Sequence, residues 1–426
     1  GKYVRLIYQP CVPLGRDGRK VTASPEHAAL SRKAAGEGMV LLKNLGGALP
    51  LKRGEKVALF GKATIEYIKG GGGSGDVYTA YVRNIYDGFA EKEAEGKVSV
   101  YMPTVEFYKE YVKEESKKIP TRAQIEKIWD KVNAMDFCKE KDDIIYDTFA
   151  SMHVREAAVP DELINIAAEN ADVAVITLSR FSAEGVDRKP IDSDYYLSFE
   201  EKSLINRASK AFKKTIVVLN SGAVVDCEHF ADNDKVQGIL FGWQGGLEGG
   251  AAVADILCGD VCPSGKLADT IPVSYYSYQN AEEFLTGFEH LDYYDDIYVG
   301  YRYFETVPGA AERVRYPFGF GLSYTDFELS GVLCDETDGK IVVSVNVKNI
   351  GSVPGKETVQ LYYSAPKGVL GKPAKELAAF AKTHLLNPGE SETLALSFDI
   401  ADMASFDDLG KVKKAAYVLE PGKYSF

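Results

Sequence analysis

The sequence is poor in the residues that most often announce chemistry. It carries 5 histidines and 6 cysteines in 426 residues. No Cys-x-x-Cys pair occurs, and the histidines (27, 153, 229, 290 and 384) do not gather around Cys258 and Cys262, the nearest cysteine pair. That spacing argues against a zinc site, and no cofactor or metal is suggested. Scattered thiols of this kind are expected to stay reduced in a reducing compartment. Apolar runs reach only strand length, far short of the roughly 20 residues of a membrane helix. No charged-then-apolar leader opens the chain, so the expectation is a cytoplasmic protein without a membrane partner. A basic block is also missing, and the net charge is −12, which speaks against nucleic acid as a partner. No Gly-x-Ser-x-Gly elbow is present, which disfavours an α/β-hydrolase. The glycine-rich stretch Lys69–Asp76 lacks a following Gly-Lys-Ser/Thr, so it is not a phosphate loop. Composition alone leaves it either a flexible linker or a place where backbone comes close to a ligand, with Ser74 offering a hydroxyl.

What is present is a strong strand–helix rhythm. At 45% hydrophobic and 26% charged residues the chain reads as an ordinary globular protein, and its length calls for two or three domains. An irregular arm is expected over residues 1–25. A helix follows over 26–44, with Ser24 as cap, Pro25 at the first position, and Ala28, Leu30, Ala34, Ala35, Met39 and Leu42 at helical spacing. Buried strands are predicted at Val57–Gly61, Val98–Met102, Asp172–Leu178, Thr215–Asn220 and Val236–Phe241. Helices are predicted near 78–91, within the charge-rich stretch 104–170 (as surface helices), near 198–212 and near 246–258. Continuous apolar strands separated by helices imply an α/β fold: a largely parallel sheet sandwiched by helices. From about residue 325 the period drops to two, as in Lys340–Asn349, Thr358–Tyr363 and Ser391–Phe398, with Gly- and Pro-containing turns between. That pattern implies an all-β sandwich over 325–426 after an α/β domain over 26–324. The closing segment Gly422–Phe426 reads as the opening of a further strand, so the natural polypeptide is expected to continue.

Glu184 stands out because of where it falls. The loop Arg180–Pro190 leaves the apolar run 172–178, and Glu184 is followed there by Gly185. A carboxyl on a Gly-flanked loop just past a strand end is where open α/β sheets keep their chemistry. Taken alone, such an acid is more often a solvated loop residue. Asp187 and Arg188 next to it suggest an ion pair that braces the loop.

Eight pieces in order then resemble one family. They are Glu37-Gly-Met-Val-Leu-Leu-Lys-Asn44, the Gly70–Asp76 loop, Glu184-Gly-Val-Asp-Arg188, Gly242-Trp-Gln-Gly-Gly246, Pro263-Ser-Gly-Lys-Leu267, Tyr298-Val-Gly-Tyr-Arg-Tyr-Phe304, Pro317-Phe-Gly-Phe-Gly-Leu-Ser-Tyr324, and Lys375-Glu-Leu with Leu386-Asn-Pro-Gly-Glu390. Together they resemble glycoside hydrolase family three, the β-glucosidase-like enzymes. The resemblance implies an α/β sandwich domain and a fibronectin type III-like domain. It also implies retaining, exo-acting hydrolysis of terminal β-linked sugars, with a β-linked oligosaccharide or glycoside as substrate. By the same resemblance Glu184 is the general acid/base, Ser74 faces the substrate pocket and is expected to hydrogen-bond substrate, and Arg180 is structural or lines the pocket. The family's nucleophilic Asp sits in a (β/α)8 barrel, and no such barrel fits in this chain. Ser193-Asp194-Tyr195 is the nearest match to its Ser-Asp-Trp context, but it lies just past the Glu184 loop and reads as chance. The barrel is therefore expected after residue 426, as in a member of inverted order, or in a second chain, and this chain alone is expected to be inactive. A non-catalytic carbohydrate-binding or scaffold protein built from the same modules is the alternative. An unrelated enzyme using Ser74 or a cysteine as nucleophile lacks any base at a recognisable spacing.

Overall fold

The computed structural model describes residues 24–77, 79–284, 290 and 292–426. The arm expected over 1–25 falls almost wholly outside them. Helix α1 (Pro25–Gly38) is capped by the Ser24 hydroxyl, which accepts the His27 N–H. The chain then turns directly into strand β1 (Val40–Asn44). The predicted single helix over 26–44 is thus corrected. The apolar run Met39–Leu42 fits either period, and antiparallel pairing of β1 with the distant β6 (Gly238–Phe241) decides for strand.

Between them run β2 (Lys56–Phe60), α2 (Ile85–Ala94), β3 (Ser99–Val100), α3 (Met102–Ser116), α4 (Arg122–Asn133), α5 (Lys139–Ser151), α6 (Asp161–Asn170), β4 (Val173–Ser179), α7 (Phe199–Ala211), β5 (Lys214–Asn220) and the short α8 (Glu228–Ala231). Helix α2 starts later than the predicted 78–91, because Asn84 and Asp87 form a reciprocal capping box there. The same device, Ser198 with Glu201, starts α7 where the sequence placed it. After β6 come α9 (Gly249–Leu257), β7 (Ile271–Pro272), α10 (Tyr301–Thr306) and β8 (Val314–Tyr316).

The main sheet has six strands in the order β1-β6-β5-β4-β2-β3. All neighbours are parallel except the β1/β6 pair. Both faces are buried, so side chains alternate between two cores. Ala174, Ile176 and Leu178 of β4 pack with Leu204, Ile205 and Ala208 of α7 on one face. Val173 and Val175 pack with Ile85 and Phe89 of α2 and with α9 on the other. Close packing leaves no room at Gly61, just past β2. Its φ is +92°, and a Cβ there would lie 2.1 Å from the Thr177 carbonyl oxygen. The carboxyl ends of β2, β4, β5 and β6 share one edge of this sheet.

The period-two region folds as read: β9 (Phe327–Thr337), β10 (Lys340–Asn349), β11 (Thr358–Tyr363), β12 (Glu376–Lys382), β13 (Ser391–Asp399), β14 (Ser405–Asp407) and β15 (Ala416–Val418). Sheet β13-β10-β9 faces the pair β11-β12 across Val343, Val345, Val347, Leu361, Leu394 and Leu396. Strands β9, β12, β14 and β15 were not predicted. The module is locked to the α/β domain by polar contacts: Lys356 to Glu37 at 2.7 Å, Lys266 to Glu357 at 2.9 Å, and the Gln360 amide to the Gly319 carbonyl at 3.0 Å.

Candidate active site

The loop that carries Glu184 begins where β4 runs out of sheet. The Arg180 N–H still donates to the Asn220 carbonyl at the end of β5. Beyond it the chain makes a tight turn, Ala183–Val186, closed by the Val186 N–H on the Ala183 carbonyl at 3.1 Å. Glu184 is at the apex, so it is exposed. Gly185 takes φ +73° next to it, the left-handed backbone that the third position of such a turn favours.

The glycine loop fixes this turn from the side. Gly72 forms a parallel bridge with Ala183, its N–H donates to the Ser182 carbonyl at 2.7 Å, and the Glu184 N–H returns to the Gly72 carbonyl at 3.4 Å. A Cβ at Gly73 would sit 3.1 Å from the Glu184 Cβ and 3.4 Å from its Oε2. The glycines therefore make room for the carboxyl side chain, and the stretch is a fitted loop rather than a linker. Ser74 lies in the 3-10 turn Gly73–Gly75 on this same loop, one residue past the contact with Glu184.

A small apolar cluster seats both loops. It joins Ile68, Phe181 and Val186 to Tyr146 of α5, with Phe149 and Ala183 against it. Phe149 covers Gly72 so closely that a Cβ there would lie 2.8 Å from its ring. The Phe181 ring meets Tyr146 at 5.6 Å and His153 at 5.9 Å. Helix α5, within the stretch predicted as surface helices, therefore braces the candidate site.

Two arginines, Arg180 buried and Arg188 partly buried, hold the loop root. The Arg180 guanidinium makes a two-pronged pair with Glu201 at 2.6 and 2.7 Å and also donates to the Asp194 carbonyl. Burial favours the neutral carboxyl, but Arg180 outweighs it and holds Glu201 below the usual carboxylate range. Only 4% of Arg180 is exposed, so the expectation that it lines a substrate pocket is corrected: its donors are spent inside the fold. Arg188 pairs with the fully buried Asp194 and donates to the Phe181 carbonyl. This replaces the expected Asp187–Arg188 brace; Asp187 points outward and is exposed. Asp194 also accepts the Lys189 N–H at 2.6 Å, so the Ser-Asp-Tyr match is a structural residue of the loop. Lys189 continues the brace by pairing with Asp142 and Asp143 of α5 at 3.0 and 2.8 Å.

Two amides at the sheet edge complete the frame. The Asn220 side chain accepts the Ile68 N–H and donates to the Ile68 and Trp243 carbonyls. The Gln244 side-chain oxygen accepts the Ser182 hydroxyl at 2.9 Å. Neither residue was singled out from sequence, although Asn220 ends a predicted strand and Gln244 lies within the Gly242–Gly246 piece.

Comparison with known proteins fits this frame. Residues 39–324 match the glycosyl hydrolase family 3 C-terminal domain, and residues 357–426 match a fibronectin type III-like domain. The chain belongs to glycosyl hydrolase family 3. This family 3 chain is 44% identical over 462 residues to beta-glucosidase A of Butyrivibrio fibrisolvens, a match spanning 100% of it and 52% of that relative. It is 36% identical to a beta-glucosidase of Ruminococcus albus, covering 94% of the chain and 39% of the relative. Among solved structures, a beta-glucosidase from Paenibacillus barengoltzii matches with a TM-score of 0.81 at 37% identity, over 94% of this chain and 41% of that one. Beta-glucosidase 3B from Thermotoga neapolitana, solved in complex with glucose, gives a TM-score of 0.79 at 37% identity, over 94% and 51%. The chain thus spans about half the length, or less, of these relatives.

Proposed function

We propose that this chain is the part of a retaining, exo-acting β-glucosidase that supplies the general acid/base, Glu184. The observation that carries the reading is the Ala183–Val186 turn. It lifts an exposed carboxyl off the carboxyl edge of the sheet and pins it by backbone bonds to a glycine loop cleared for it. The β-glucosidase names of the relatives support the same reading.

In the proposed reaction a terminal β-linked sugar of an oligosaccharide or glycoside lies against this edge. A carboxylate from a (β/α)8 barrel, supplied by the rest of the polypeptide or by a second chain, attacks the anomeric carbon. Glu184 gives its proton to the glycosidic oxygen as that bond breaks. It then takes a proton from the water that releases the sugar, so configuration is retained. The two carboxyls must stand about 5–5.5 Å apart for this. A general acid must hold its proton near neutral pH, against roughly 4.3 for an unperturbed Glu. A barrel docked over the turn would strip water from the carboxyl and set a second negative charge beside it, and both effects favour the protonated form. Ser74, on the loop bonded to the turn, is assigned to a hydrogen bond with substrate. Without the barrel nucleophile, the chain alone has no activity.

Leaving-group dependence tests the reading in the complete enzyme. Glu184→Ala is expected to cut kcat/KM for cellobiose about 10²- to 10⁴-fold, the usual worth of general acid–base assistance. It should cost far less in the glycosylation step on an aryl glucoside whose acidic phenol needs little protonation. Equal losses on both substrates would contradict the assignment.

A further inference from the structure

Two exposed apolar segments of this chain carry opposite charge, and neither is matched within the fold. The first is the ribbon β14–β15 with its tip. Phe406 and Tyr417 stand opposite each other across the ribbon, their ring centroids 5.2 Å apart, and the tip adds Leu409 and Val412. All four are more than half exposed. Lys411, Lys413 and Lys414 lie among them, and no carboxylate pairs with these side chains among the described residues. They leave the ribbon net positive even against Asp407 and Asp408. The tip is shaped in advance, because the Asp407 carboxyl holds the N–H groups of Gly410, Lys411, Val412 and Lys413. Docking on it would order little new backbone. The second segment, 292–299, exposes Tyr293, Tyr294, Ile297 and Val299. Asp292, Asp295 and Asp296 lie among these, and no lysine or arginine pairs with them among the described residues; only His290 approaches Asp292, at 3.5 Å. Elsewhere surface charges are matched: Lys109 and Lys113 of α3 each pair with a Glu one turn back. A single loop joins the two segments. Glu420, just past β15, accepts the Val369 and Leu370 N–H groups at 2.7 and 3.2 Å and pairs with Lys372. Gly371 on this loop adjoins the other segment, since a Cβ there would lie 3.3 Å from the Tyr298 hydroxyl. The exposed Val369 carries the apolar surface across.

We propose that this surface docks a second copy of the protein across a two-fold axis, with the ribbon of each copy lying on segment 292–299 of the other. A two-fold contact sets patch i of one copy on patch j of its partner and j on i, so a surface with unlike ends is complementary to itself. Contiguous exposed apolar surface rimmed by charge is the usual mark of a protein contact. The signs of the charges choose the occupant. An anionic polymer or lipid surface would be drawn to the lysines and repelled by the aspartates beside the tyrosines. A chain of net charge −12 repels its own copy at a distance, so an arrangement that lays unlike ends together is the one that holds. The proposal is independent of the role of Glu184.

Sedimentation of the complete enzyme at about 0.05 M salt, where exposed charges are weakly screened, tests this. A dimer is expected at micromolar concentration. Lys413→Glu with Lys414→Glu sets like charges on both contacts and should raise the dimer Kd about tenfold or more. So should Asp292→Lys and Asp295→Lys with Asp296→Asn, where Asn keeps the left-handed backbone (φ +48°) of position 296. Mixed in equal amounts, the two variants should associate again. The reversed ribbon of one then meets the reversed segment of the other, and the unaltered ribbon meets the unaltered segment. Circular dichroism like that of the parent shows that each variant is folded, and recovery on mixing cannot come from misfolded chains. A monomer at every concentration would mean that the rest of the polypeptide or another protein covers this surface, and would overturn the proposal. So would a dimer that neither variant weakens, or folded variants that mixing does not restore.

Discussion

Asp407 in the β-sandwich and Glu184 in the α/β domain are both carboxylates at turns, and the backbone around them does opposite things. The Asp407 carboxyl is wrapped by four N–H groups, those of Gly410 and Lys411 on one oxygen and those of Val412 and Lys413 on the other. Desolvation pulls its pKa up, but the four donors outweigh that and hold it down to about 2. Its bonding capacity is consumed in shaping the chain. At Glu184 the backbone donors and acceptors bond to each other across the two loops, and the carboxyl is carried outward at the apex of the turn. The contrast separates a carboxylate that folds the protein from one that the fold positions. Arg180–Glu201 and Arg188–Asp194 belong with Asp407, because they are internal charges that set the loop root while Glu184 is displayed.

Four variants sharpen this contrast, taken from the largest effect on stability to the smallest. Arg180→Ala strands the Glu201 carboxylate inside the protein, and breaking a buried pair in this way costs about 3–5 kcal/mol. Urea unfolding of the variant should show that loss; a change below about 1 kcal/mol would mean that the pair does not hold the loop root. Phe149→Ala empties the half-buried cluster over Gly72. A loss of about 2 kcal/mol is expected, less than for a fully buried Phe. In the complete enzyme kcat should also fall tenfold or more, because a catalytic group displaced by about 1 Å can lose 10²-fold. Stability loss with unaltered kcat would show that α5 does not position the turn.

Asp407→Asn gives a smaller effect with a pH signature. The folded pKa lies below the unfolded value of about 3.9, so the stabilisation is fully present above that value. It is lost as pH falls through the folded value of about 2. Thermal unfolding between pH 5 and 2 should therefore fall more steeply for the parent than for the variant. Parallel curves would remove Asp407 from the folding carboxylates. Glu184→Gln should move the unfolding free energy by less than about 0.5 kcal/mol, as surface substitutions do, while the complete enzyme loses its activity on cellobiose. A large destabilisation would place Glu184 with Asp407.

Much of this was legible because it is local. The buried strands show as continuous β-branched runs, α7 shows its Ser198 cap, and Glu184 followed by Gly185 marks a turn just past a strand. What the sequence hid depends on contacts between distant segments. Met39–Leu42 satisfies helix and strand spacing alike, and only the β6 edge makes it a strand. Strand β9 is exposed along nearly its whole length, so it carries no alternation to read. Arg188 has an acid beside it in Asp187, yet it turns to Asp194, which a fold of the loop brings under it. Nothing in the spacing of Tyr146 and Phe149 says that their helix closes over Gly72 and Phe181.

The most direct test of the account is rescue by azide. The complete enzyme carrying Glu184→Ala is given an activated aryl β-glucoside, and the product is identified by NMR as azide is added. If Glu184 is the acid/base, the variant stalls as the glycosyl-enzyme for want of a base, azide restores turnover, and the product is the β-glucosyl azide. No acceleration, or an azide of inverted configuration, would contradict a proton-transfer role at this turn.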